Sequence, residues 1–256
     1  MEWYAYPLIL VAGFAAGAIN TIAGSGSLLT LPLLIFFGLP AGVANGTNRV
    51  AILLQNVVGA ASYRQQGVLD ERGALWLSLP AILGAVIGAQ IAVDLDEELL
   101  RRSIGAILVL MLGVILLRPE RWLHGLREQL EGRPSALAWL AFFLIGIYGG
   151  FIQAGVGVLL LAGLVLVVGY DVVRANAVKV LIVLVFTVFA LAVFVRNDQV
   201  NWGVGLVLAS GNMLGAWVAS RMAVEKGAVW VRRFLIATVA LAAAYMLGLF
   251  DWIAAF

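Results

Sequence analysis

Apolar residues fill the chain in long uninterrupted runs, and the few charged positions mark where each run stops. No Asp, Glu, Lys, Arg or His occurs in the 46 residues between Glu2 and Arg49, nor in the 36 residues 135–170. Further charge-free runs cover 73–93, 103–117, 199–220 and 234–250. About 20 apolar residues carry a helix across a bilayer. Hydrocarbon offers no partner to an unpaired backbone group, so such runs must be helical. The strict alternation a membrane β-barrel needs is missing. The pattern predicts an all-α polytopic integral membrane protein with ten hydrophobic segments. Five lie at about 5–22, 27–38, 42–63, 74–93 and 103–117, and five at about 136–153, 157–169, 175–195, 202–220 and 233–250. In each set only a glycine-rich break separates the first two segments. Such a pair is one long broken span, two short spans, or a re-entrant hairpin.

Composition sharpens this reading. Of 256 residues, 63% are apolar and 12% charged, and mean hydropathy is +1.05. A soluble domain carries about twice that charge. There is no Cys, which excludes disulfides, zinc–thiolate sites and cysteine nucleophiles. The single His124 lies among Arg121, Arg127 and Glu128 and reads as a loop residue. No phosphate-binding G-x-x-x-x-G-K-[ST] sequence is present, which argues against ATP-driven transport by this chain alone. No basic region precedes the first apolar run, so a cleaved signal peptide is not expected. Nothing in the pattern points to an enzyme, a cofactor, a metal or a nucleic-acid partner. The expected surroundings are a lipid bilayer, with the multi-pass chain in the plasma (inner) membrane. The pattern leaves room for a homo-oligomer.

The polar stretch 118–134 divides two related halves. At a shift of 131 positions Ala23-Gly24-Ser25-Gly26 falls on Ala154-Gly155-Val156-Gly157, Ala44-Asn45 on Ala175-Asn176, and Arg101-Arg102 on Arg232-Arg233. Just upstream, Gly13, Gly17 and Asn20 match Gly146, Gly150 and Gln153 at a shift of 133. The expected organisation is a first transmembrane repeat over 1–117, a cytoplasmic linker over 118–134 and a second repeat over 135–256. If each glycine-broken pair crosses once, Lys and Arg split seven against nine between the two sides, which is no bias. If each pair is a hairpin or two short spans, twelve of the sixteen share one face, as the positive-inside rule requires. The second choice makes the repeats inverted, the usual construction of secondary transporters.

Two clusters carry the candidate chemistry. Asn20, Gly24, Ser25 and Gly26 interrupt the first apolar run, and Gln153, Gly155 and Gly157 form the matching break. Such breaks expose backbone groups and helix ends to a substrate, although small residues also serve close packing. Asn45, Thr47, Asn48 and Arg49 open the third segment, matched by Asn176 and Lys179. A charge at mid-membrane costs roughly 2.5–3.5 kcal/mol, so two cations at related places point to an anion. The competing reading has both snorkelling to the interface. Gln55, Asn56 and Asn212 read first as interhelical hydrogen-bond formers. No Asp or Glu lies at a clear mid-span position, so no carboxylate proton relay is evident.

The order Gly13-x3-Gly17, Gly24-x-Gly26, Pro32, Gly38-Leu39-Pro40, Ala44-Asn45-Gly46-Thr47-Asn48 resembles the sulfite exporter TauE/SafE family of membrane permeases. The resemblance covers nearly the whole chain. It implies transport of small sulfur-containing oxyanions such as sulfite, sulfonates or sulfoacetate, mostly as export. It also implies seven or eight spans rather than ten segments, reconciled if each broken pair counts once. The expected function is a secondary transporter working by alternating access. An uncoupled anion channel or facilitator, or a permease importing another organic anion, is the alternative.

Overall fold

Four long apolar helices and an unusually polar fifth set the architecture. The computed structural model describes residues 5–117 and 136–246; the 118–134 linker, His124 and both chain ends lie outside them. Among the described residues the order is α1 (Ala5–Ala23), α2 (Ser27–Phe36), α3 (Ala41–Gln65), α4 (Glu71–Asp94), α5 (Glu97–Leu117), α6 (Ala136–Phe151), α7 (Val156–Gly163), α8 (Val172–Arg196) and α9 (Trp202–Met246). A π-helical turn, Leu164–Val168, continues α7. Gly227, at φ 69° and ψ −173°, breaks α9 between the ninth and tenth predicted segments. There is no strand among the described residues. Helices α1, α4, α8 and the Trp202–Gly227 part of α9 are long and apolar enough to span a membrane. Helix α3 is as long as α8, at 25 residues, but carries buried Asn45, Thr47, Asn48, Arg49, Gln55 and Asn56.

Local chemistry fixes where the long helices begin. Asp70 caps α4 by accepting from the Gly73 N–H at 2.9 Å, and Asn201 caps α9 by accepting from Val204 at 3.1 Å. Asp171 accepts from Val173 and Arg174 at the start of α8. Pro40 precedes α3 and has no side-chain cap to offer. There the Glu97 carboxylate, from the first turn of α5, accepts from the Ala41 and Gly42 N–H groups instead. A carboxylate suits that end because free N–H groups make it partly positive.

The glycine breaks turn the chain back on itself. A Cβ on Gly163 would lie 3.5 Å from the Phe142 ring, and one on Gly149 would lie 2.9 Å from Val156. Helix α7 therefore runs back along α6, and the pair is a hairpin. At the first break a Cβ on Gly26 would strike the Ala16 carbonyl, so α2 also starts back against α1. Gly24 and Gly155 turn the two tips with φ of 75° and 77°, a region that Cβ-bearing residues adopt only under strain. The tips meet: a Cβ on Gly24 would lie 2.3 Å from the Gly157 carbonyl carbon.

Equivalent elements recur 131 positions apart: Ala41 and Val172 start α3 and α8, Gln65 and Arg196 end them, and Asp70 and Asn201 cap α4 and α9. The first helix of each half packs on the fourth helix of the other, α1 on α9 and α6 on α4. Helices α3 and α8 pack together between them. The packing corrects one register. Gly17 faces the Asn212 backbone and Gly146 faces that of Ala81, and these two partners are 131 apart. Gly17 thus corresponds to Gly146, not to Gly150, and the second half carries two extra residues before its break. Repeated glycines one turn apart hid this shift in the sequence.

Candidate functional site

The polar centre lies where the hairpin tips meet α3 and α8. A small cavity, about 10 Å³, is lined by Asn20, Gln55, Asn56, Gln153 and Lys179 with Gly24 and Gly157 from the tips. Ile52, Val156 and Val183 complete its wall. That volume holds about one water molecule, less than any oxyanion requires. The centre therefore has no room for such an anion in this conformation.

Both cations flank this centre and both are buried: Arg49 is 0% exposed and Lys179 2%. Neither snorkels. The Arg49 guanidinium donates from Nη1 to the Gly149 carbonyl at 3.0 Å and to Gln153 Oε1 at 3.4 Å. From Nη2 it donates to the Gly150 and Phe151 carbonyls and to Asn45 Oδ1. Its Cζ lies 4.5 Å from the centre of the Phe194 ring, a cation–π distance. Lys179 Nζ donates to the carbonyls of Asn20 at 3.2 Å and Thr21 at 3.0 Å, and to Asn176 Oδ1 at 2.7 Å.

These contacts have one physical cause. The last four carbonyls of a helix have no intrahelical donor, and together they form the negative end of its dipole. Helices α1 and α6 stop in the middle of the protein, where those ends are largely buried. Each cation satisfies the end of the opposite half's first helix: Arg49 of α3 caps α6, and Lys179 of α8 caps α1. Among the described residues no carboxylate pairs with either cation. The two positive charges meet carbonyl and amide dipoles and, for Arg49, the Phe194 ring. Arg49 and Lys179 are not strict equivalents, since Lys179 aligns with Asn48. Lys179 lies three residues after Asn176, and Arg49 four after Asn45.

The remaining sequence candidates divide. Asn20, Gly24, Gln153, Gly157 and Lys179 line the cavity, and Arg49 reaches it through Gln153. Gln153 is further held by donating to Thr187 Oγ1 at 2.7 Å. Asn45 spans α3 to α6 by donating to the Phe151 carbonyl at 2.8 Å, beside Arg49. Asn176 anchors Lys179 and leaves its own Nδ2 without a hydrogen-bond partner among the described residues. Thr47 and Asn48 face elsewhere: Thr47 accepts from the Asn201 N–H at 2.8 Å, and Asn48 accepts from Thr30 Oγ1 at 2.8 Å. Ser25, Gly26 and Gly155 are buried at the turns and do not line the cavity. Gln55 does more than bridge helices. Its Oε1 accepts from Asn20 at 3.3 Å and from Asn212 at 3.2 Å while the residue lines the cavity. The signal for it was spacing: Arg49, Ile52 and Asn56 recur along one helical face, with Gln55 beside them.

Four helices of bilayer length, two helical hairpins whose tips meet and a buried polar centre are the marks of a multi-pass membrane protein. Comparison with known proteins gives the family. The profile of the sulfite exporter TauE/SafE family matches residues 9–246, and the chain belongs to that family. It is 30% identical to the "Probable membrane transporter protein ORF9" of Sinorhizobium sp, over 94% of this chain and 92% of that one. A probable membrane transporter protein of Haemophilus influenzae is 25% identical over 90% and 89% of the two chains. The probable membrane transporter protein YfcA of Escherichia coli K12 is 26% identical over 94% and 88%. No solved structure gives a significant match.

Proposed function

We propose that the protein exports small sulfur-containing oxyanions, of the sulfite, sulfonate or sulfoacetate class, across the plasma membrane by alternating access. The observation that carries this reading is the pair of buried cations, Arg49 and Lys179, with no carboxylate against them among the described residues. Their positive charge, met by dipoles rather than by a full negative charge, attracts an anion to the place where both hairpin tips meet. The amides of Asn20, Gln55, Asn56 and Gln153 supply hydrogen bonds around it. A cavity too small for an oxyanion supports a transporter that must rearrange rather than a standing channel. Each half contributes a hairpin and three further helices, an odd number of crossings, which supports inverted repeats and hence two states of similar energy. A negative-inside potential favours exit of a monovalent anion by about 2.3 kcal/mol per 100 mV, so export needs no proton relay.

Purified protein in liposomes tests this. Sulfite or a sulfonate loaded inside should leave at a rate that Arg49→Ala reduces at least tenfold. Thermal stabilisation by a panel of sulfite, sulfate, thiosulfate and sulfonates would name the anion, because a ligand bound only by the folded state raises stability. If no anion of the panel stabilises the protein, and Arg49→Ala leaves flux unchanged, the site is elsewhere.

A further inference from the structure

Lys179 is coordinated as a free cation would be. Its Nζ has three oxygens at 2.7–3.2 Å: two carbonyls from the last turn of α1 and the side-chain oxygen of Asn176. It is buried, and among the described residues no Asp or Glu pairs with it. In secondary transporters with broken helices, half-helix C-terminal ends and unwound carbonyls are where a coupling cation binds. Such an ion neutralises the helix end and lends its charge to an anionic substrate nearby. In this chain a tethered ammonium occupies that place, beside the cavity it lines with Asn20, Gln55, Asn56 and Gln153. Arg49 does the same at the end of α6.

We propose that the Lys179 ammonium is a built-in substitute for a coupling cation at the α1 terminus, so that the transport cycle runs without a sodium or potassium partner. The three oxygens form a monovalent-cation site whose occupant is covalently attached. Removing the side chain vacates the site and leaves its ligands in place. A small primary ammonium then fits where Nζ was. The consequence for flux rests on the anion-transport reading above; the binding consequence does not.

The test uses the full-length protein in detergent, in choline medium without alkali cations or substrate. Lys179→Ala should melt several degrees below the wild type, and methylammonium should restore much of that loss while leaving the wild type unmoved. Lys179→Met fills the space without charge and should gain nothing from methylammonium. If Lys179→Ala is lost on purification, methylammonium present throughout the preparation is the same test: recovery supports the proposal and continued loss overturns it. A Lys179→Ala protein indifferent to methylammonium and sodium also overturns it. In liposomes, wild-type sulfite flux should be unchanged when sodium and potassium are replaced by N-methylglucamine; a strict sodium requirement overturns it. Absence of flux for every anion, with methylammonium rescue intact, would sink the substrate reading and leave the cation site standing.

Discussion

The contact between the hairpin tips can be measured with two alanines. Gly24 and Gly67 have nearly the same backbone, φ 75° and 70°, and so suffer nearly the same conformational strain on receiving a Cβ. That strain is about 1–2 kcal/mol. Their surroundings differ completely. A Cβ on Gly67, at the end of α3, meets nothing within 4 Å, whereas one on Gly24 lies 2.3–2.7 Å from three backbone atoms of Gly157 and Val158. Backbone cannot rotate away as a side chain can, so the tips must separate. Overpacking of this kind adds about 1–3 kcal/mol. Gly67→Ala should therefore cost about 1–2 kcal/mol, the strain alone, and Gly24→Ala about 2–5 kcal/mol, strain and overpacking together. Reversible unfolding in mixed micelles reads the difference, and flux should fall only for Gly24→Ala. Equal destabilisation by the two substitutions would show that the tips do not touch.

Arg49→Lys keeps the charge but not the fork that reaches the Gly149, Gly150 and Phe151 carbonyls. At least one buried acceptor is left unpaired, at about 1–3 kcal/mol, measurable in the same unfolding assay; wild-type stability would deny the capping role. Thr47→Val strands the Asn201 N–H and should lower stability by about 1 kcal/mol while leaving anion affinity, read by ligand-induced melting shifts, unchanged. Tyr170 joins the α7–α8 connection to Asp70 by donating its hydroxyl at 2.5 Å; burial first, then the Asp70 contact, raises the phenol above its ordinary pKa of 10. The unfolded chain thus loses this proton first, and the contribution is complete below pH 10 and fades as pH rises further. Tyr170→Phe should flatten that alkaline loss in a pH series of melting temperatures; an identical slope would remove Tyr170 as its source.

The segments were legible because hydrocarbon demands apolar runs, and their predicted ends fall within a few residues of α1, α3, α4 and α8. The hairpins were legible only as one of three options. A glycine pair announces a break but not the direction the chain takes after it; the direction is set by how closely Gly26 and Gly163 approach the preceding helix. Arg49 and Lys179 were found because a lone charge in an apolar run is conspicuous. Their use was not, since the carbonyls they cap are about 100 to 160 positions away. Thr47 and Asn48 looked like site residues because they share a polar run with Arg49. On a helix, consecutive residues point in different directions, and these two point at the Asn201 connection and at α2.

The exchanged packing of the halves also constrains how the protein is made. Helix α1 leaves the ribosome well before its partner α9, which begins at Trp202, roughly 180 residues later. At 5–20 residues per second, that is roughly ten to forty seconds of waiting. Through that interval α1 must sit in lipid with Gly13 and Gly17 uncovered, and for most of it its carbonyl end also lacks Lys179. Neither half is a finished object when it emerges. The first becomes native only when the last long helix slides in beside it, so assembly is a closing step rather than a stepwise accretion. A nascent chain arrested before Trp202 should be a substrate for membrane proteases, and the complete chain should escape them.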